Sequence, residues 1–174
     1  MSIDPNQFKN LIVTPVLSLL EKELQIPHTT FVSDLLIATA AQESLCGRYL
    51  RQIYGPAVSI YQFEFATFQS AVNLFRDRWS ASTQEMLFES LGGRTQQSPL
   101  DLFEDSLSNL KLATCFARLI YFCSPLPLPI DPSETNYLTK LWIAYKAIWN
   151  TKYGSATKEE FNNNITKFTH IYLA

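Results

Sequence analysis

No stretch of this sequence is apolar for the roughly 18 residues that a membrane span needs, so no transmembrane helix is expected. The opening Met-Ser-Ile-Asp-Pro places no basic residues before an apolar run, so no Sec-type signal is expected either. A surplus of positive charge is also missing. The formal net charge is −2, which leaves no electrostatic footprint for nucleic acid. Cysteine is scarce at three residues, too few for a disulfide framework. Cys115 and Cys123, if they share a helix, lie about 12 Å apart along its axis and cannot bridge. All three cysteines sit among apolar or small residues and read as small buried hydrophobes. The two histidines, His28 and His170, are far apart with no ligand pattern beside them, so neither a metal site nor a cofactor is expected. Charged residues make up only 17% of the chain against 47% apolar ones, the balance of a globular protein and not of a disordered one.

At 174 residues the chain is sized for one domain burying roughly two-thirds of its unfolded surface. Helical spacing of apolar residues dominates, and the expected class is mainly α, with six to seven helices and a loop or short strand pair. Asp4-Pro5 is a helix start, with an N-cap oxygen before proline at the first helical position. Pro15 should kink or divide that first helix, and Pro27 should close it. Thr29 or Thr30 opens a second helix, apolar nearly all round and therefore central, with Gly47 as its stop. Tyr49 to Phe65 has no helical period and reads as loop. Thr67 is the expected cap of a third helix running to about Trp79. Ser82 with Glu85 would be a capping box for a fourth, ending at Gly92. Asp105 to Phe122 reads as one long helix, and the prolines from Ser124 to Pro132 as an extended connector. Asp131-Pro132 should start another helix. Thr157 with Glu160 should open the last, ending near Ile171.

Glu43 stands out because it ends the apolar second helix. An acid held among apolar groups has its pKa raised, since burial disfavours the charge; it can then remain protonated near neutrality and donate a proton. Glycosidic bond cleavage requires such a donor. A structural ion pair with Arg48 or Arg51 is the other reading of Glu43. The returning segment offers Gln62 and Glu64. Gln62 could bind an N-acetylated sugar through its amide or tie the loop to the main chain. Glu64 could be a second carboxylate or a surface residue near a helix cap. Tyr49, Tyr54, Tyr61 and Trp149 could stack on sugar rings or belong to the core.

The order of these elements resembles the phage-encoded relatives of the soluble lytic transglycosylases, within the goose-type lysozyme superfamily. The resemblance rests on Glu43-Ser44 ending a helix, Gly55-Pro56-Ala57 in a turn, Ile60-Tyr61-Gln62 and Ala66-Thr67. It continues in Asn109 before an alanine-containing helix and in Trp149-Asn150 with Gly154. It implies a lysozyme-like single domain that cleaves the glycan strands of peptidoglycan. Glu43 would be the catalytic acid and base, and Ser44, Tyr61, Gln62, Glu64, Trp149 and Asn150 the substrate-binding set. It further implies an association with phage particles or a site of action in the host before release. The chain departs from the pattern at Trp149, where family members carry a tyrosine hydroxyl. Ser59 stands where a glycine lets backbone approach the sugar, and Phe65 replaces a proline. Those departures suit a second reading, a non-catalytic virion component of the neck or tail that keeps the fold.

Overall fold

The computed structural model describes residues 2–94, 97–129, 136–152 and 154–169. Among them the chain is mainly helical and has no strands, only isolated bridges joining Arg51 to Val58 and Val58 to Phe63. The short strand pair expected at the loop is reduced to these two bridges.

Helix α1 is a continuous run of three parts, Pro5–Phe8, a π-helical turn Lys9–Val13 and Thr14–Leu24. Asp4 caps it by accepting from the Gln7 amide at 2.9 Å. The wide turn lies just ahead of Pro15. Proline has no N–H to give the preceding turn, and the helix accommodates it by widening, not by breaking. The helix ends at Leu24 because Gln25 turns left-handed (φ 57°), two residues before the expected stop at Pro27.

Helix α2, Thr30–Ser44, is capped by the Thr29 hydroxyl and is the axis of the molecule. Phe31, Leu35, Leu36, Ala38, Ala40 and Ala41 are all buried, which is why this helix shows apolar residues on every side. Its polar residues are spent on neighbours. Asp34 takes the Lys9 ammonium from α1 at 2.8 Å and the Tyr137 hydroxyl at 2.8 Å. Thr39 Oγ1 lies 2.7 Å from the Tyr121 hydroxyl. The helix ends at Ser44 as Leu45, Cys46 and Gly47 all take positive φ, so the stop comes before the expected glycine.

Beyond the loop come α3 (Phe65–Arg78), α4 (Ala81–Ser90), α5 (Pro99–Asp105) and α6 (Leu110–Cys123). Three expected boundaries are corrected here. Thr67 is not a cap, because α3 already begins at Phe65, whose ring packs edge-on against Phe103 at 5.4 Å. Ser80, not Ser82, caps α4 by accepting from the Thr83 amide. The helix expected from Asp105 starts only at Leu110, because Asp105 is the last residue of α5 and residues 106–109 lie outside any helix. Ser98 and Asp101 form a capping box for α5, and Asn109 accepts from the Leu112 amide to start α6. Asn109 also donates to the Leu91 carbonyl at 2.9 Å, so its role is that of a cap and brace.

Helix α7 is Tyr137–Ala144 continuing into a second π-helical stretch, Tyr145–Asn150; α8 is Lys158–Phe168, capped by Thr157. That makes eight helices among the described residues, above the six or seven expected. The expected start at Asp131-Pro132 and the end near Ile171 lie outside the described residues. Cys46 and Cys115 are buried and Cys123 half-buried, all as free thiols, and burial pushes the Cys46 thiol up to about 12.

Candidate functional site

The last turn of α2, the Ser59–Glu64 segment and the π-helical end of α7 surround a cleft of about 430 Å³. Glu43, Gln62, Glu64, Trp149 and Asn150 all line it, together with Thr67, Thr151 and Gly154. Five of the seven residues picked out of the sequence thus meet at one place, although more than 80 residues separate Glu64 from Trp149.

Glu43 is partly buried, and its carboxyl is pushed up from 4.5 to about 7. Removal from water is the main cause. Tyr145 opposes it by donating its hydroxyl to Oε1 at 2.6 Å, and the nearby Glu160 carboxylate adds to the rise. The alternative of an ion pair to a neighbouring arginine does not occur. Arg51 pairs with Glu104 at 3.0 Å, and Arg48 lies over the Tyr49 ring. Near neutral pH Glu43 is therefore populated in both its acidic and basic forms, the condition for giving and then recovering a proton.

Tyr145 is the residue that the sequence reading missed. It reads as one of the core-facing residues of its helix, and it is indeed buried, stacking on Phe161 at 4.9 Å. Its hydroxyl nevertheless reaches the acid. Position 149 carries no hydroxyl, but a phenol reaches Glu43 from Tyr145, four residues earlier. The π-helical stretch explains how. A turn closed by i→i+5 bonds brings residues four and five apart into line, so Tyr145 and the Trp149–Asn150 pair share the face toward α2.

Two substrate-binding expectations are corrected. Ser44 is fully buried and works as a clamp: its hydroxyl bonds the Ala40 and Ile60 carbonyls at 3.1 and 2.6 Å and accepts from the Gly47 amide at 2.9 Å. This bond to Ile60 fastens the returning loop to the end of α2. Tyr61 is also fully buried, its hydroxyl 3.3 Å from Thr114 Oγ1 and its ring between Phe8, Phe63 and Trp149. Both are out of a ligand's reach. They support Gln62 and Trp149 from behind. Of the other candidate rings, Tyr54 is 99% exposed and Tyr49 36%, and neither lines the cleft.

Gln62 lines the cleft, and its Nε2 donates to the Ser59 and Tyr49 carbonyls at 2.7 and 3.3 Å, so the amide ties the loop to the main chain. Glu64 is exposed on the rim at the start of α3. Trp149 stacks on Tyr121 at 5.4 Å and packs against Phe63 at 5.5 Å, which holds its ring in one orientation. Asn150 is fixed by Lys146, whose ammonium bonds Asn150 Oδ1, the Gly154 carbonyl (2.8 Å) and the Ala156 carbonyl (3.3 Å). Gly154 is required, because a Cβ there would collide with the Asn150 side chain and carbonyl.

Three non-glycine residues bordering this site have left-handed backbones: Ser59 (φ 74°), Gln62 (φ 49°) and Thr151 (φ 53°). Thr151, with ψ −178°, is β-branched in a region nearly reserved for glycine. Ser59, which stands in place of a glycine, does not crowd the cleft. It is fully buried, and its hydroxyl accepts from the Tyr61 amide at 3.1 Å.

Among the described residues no cluster of three metal-ligating side chains occurs, and no helix is long and apolar enough to cross a membrane. No family model, curated protein or solved structure matches this chain.

Proposed function

We propose that this protein cleaves the glycan strands of peptidoglycan as a lytic transglycosylase with a lysozyme-like helical domain, encoded by a phage and carried on its particle. One observation carries the reading: a carboxyl raised to about 7 by burial, held by a phenol, faces a cleft of about 430 Å³ with mixed polar and apolar walls, large enough for a sugar.

In this mechanism protonated Glu43 gives its proton to the glycosidic oxygen as the bond to the anomeric carbon breaks. The substrate's own N-acetyl group stabilises the cationic sugar, so a second protein carboxylate is not required. Glu43, now ionised and steadied by the Tyr145 hydroxyl, takes the proton from the sugar's 6-hydroxyl as it closes the anhydro ring. Trp149, Asn150 and Gln62 border the space the sugar would take. Glu64 on the rim meets the strand where it leaves the cleft.

One observation favours a second reading, a particle component that keeps the fold without turnover. The Gln62 amide nitrogen and the Asn150 amide oxygen, which a glycan would use, already bond within the protein. Mass spectrometry of peptidoglycan digested with the purified chain separates the two. Anhydro-terminated fragments that vanish with Glu43→Gln establish the enzyme. Undigested wall across several pH values, with a folded protein that assembles into symmetric oligomers, establishes the structural role.

A further inference from the structure

On the other side of Tyr121 lies a second pocket, about 360 Å³, between the start of α2, the end of α6 and the Ser124–Pro129 connector. Its walls are apolar, with Val32, Phe122 and the connector prolines prominent, but Arg118 also lines it. Arg118 is only 3% exposed. Its Nη2 donates to the Pro27 carbonyl at 3.1 Å, whereas Nε and Nη1 are buried with no hydrogen-bond partner. The guanidinium lies over the Phe122 ring at 5.4 Å. Burial pulls its pKa down to about 10, so it is charged at neutral pH.

A buried cation is ordinarily paired with an acid, because removing the charge from water is costly unless an anion or several acceptors replace the solvent. Arg118 has one carbonyl and one aromatic face. The adjoining space is large enough for a small molecule and offers apolar contact on most sides. We propose that this pocket binds a small monocarboxylate with an apolar body, whose carboxylate pairs with Arg118 and whose body lies along the proline connector. The planar guanidinium fork matches a carboxylate in shape and charge. A phosphate dianion fits less well, since among the described residues Arg118 is the single cation lining the pocket and the remaining described wall is too apolar to solvate a second charge.

The site is separate from the Glu43 cleft and does not rest on the glycan reading. Octanoate is a suitable probe, titrated into the full chain while following the Arg118 Nε–H resonance and the amides of Val32 and Leu126. Saturable shifts are expected with a Kd of about 1 mM or tighter, the ordinary range for a ligand of roughly ten heavy atoms. Arg118→Met keeps the apolar stem and should weaken octanoate at least tenfold. If that variant does not fold, Val32→Phe fills the pocket and should abolish the shifts with the guanidinium intact. No saturable response to about 10 mM octanoate overturns the proposal, as does equal binding of octanol, which would make the pocket a plain apolar slot.

Discussion

The Glu43 cleft and the Arg118 pocket stand on opposite sides of the Tyr121–Trp149 stack, and each holds one ionisable group largely removed from water. They meet the cost of burial differently. Glu43 meets it by titrating: its proton affinity rises until the neutral form competes near pH 7, and Tyr145 donates a bond to the charged form. Arg118 has no such exit. Its pKa falls only to about 10, so it remains charged with two N–H groups unmatched. A buried acid can thus become a reagent, whereas a buried guanidinium is at most a receptor.

The comparison is broken most severely by Glu43→Gln. Under the proposed function, wall cleavage should fall by about two or more orders of magnitude, measured as released anhydro fragments, with circular dichroism unchanged. An equally active variant removes Glu43 as the acid.

Stability against pH sharpens the contrast next. A carboxyl raised from 4.5 to about 7 contributes stability that is present below pH 4.5, is lost as pH rises toward 7 and is gone above it. Glu43→Gln should therefore gain up to about 3 kcal/mol over the parent at pH 8, less whatever water in the cleft screens, and little at pH 4. Arg118→Met should gain about 1–4 kcal/mol at both pH values, because the guanidinium is charged throughout. Denaturant titrations at pH 4 and 8 test both, and a pH-dependent gain for the arginine variant would contradict the comparison.

Tyr145→Phe should have a smaller effect, costing about 1 kcal/mol through the lost hydrogen bond. Its informative readout is the Glu43 pKa, which should move further above 7 because the removed bond favoured the charged form. An NMR titration of the carboxyl carbon would show the direction, and a fall would mean that Tyr145 does not stabilise the ionised acid. Thr151→Gly comes last. Relief of its left-handed backbone, offset by the freedom of glycine when unfolded, should raise stability by about 1 kcal/mol. Any loss of turnover in that variant measures what the strain contributes to placing Asn150.

Much of the fold is legible where the signal is local. Asp4-Pro5, Thr29 and Thr157 cap helices because each places a side-chain oxygen within three residues of an orphan amide. The misses occur where several local signals compete. Ser80 and Ser82 both stand at the start of α4, and it is Ser80, in extended backbone, whose hydroxyl accepts from the Thr83 amide. Asn109 starts α6 later than the Asp105 start that its apolar spacing suggests, and Ser98-Pro99 opens the short α5 ahead of it. In the cleft, Glu43 is legible as an acid ending an apolar helix, and Gln62, Glu64, Trp149 and Asn150, picked out by their order along the chain, line the same space. Ser44 and Tyr61 share that order but face inward, and an order of residues does not specify a direction. Tyr145 was hidden by its core-like spacing. The legible clue is that it precedes Trp149 by four residues on a helix already suspected of facing the acid.

Lys146 gathers oxygens from Asn150, Gly154 and Ala156 much as a cage gathers a metal ion, with the difference that this cation is tethered to the cage. Such an ion cannot be chelated away, so the Asn150–Gly154 corner should keep its form in EDTA. The same enclosure makes Lys146 a built-in gauge. An amine engaged by three oxygens reacts slowly with acylating reagents, and its labelling rate, read by mass spectrometry against exposed lysines such as Lys111, reports whether this wall of the cleft is closed.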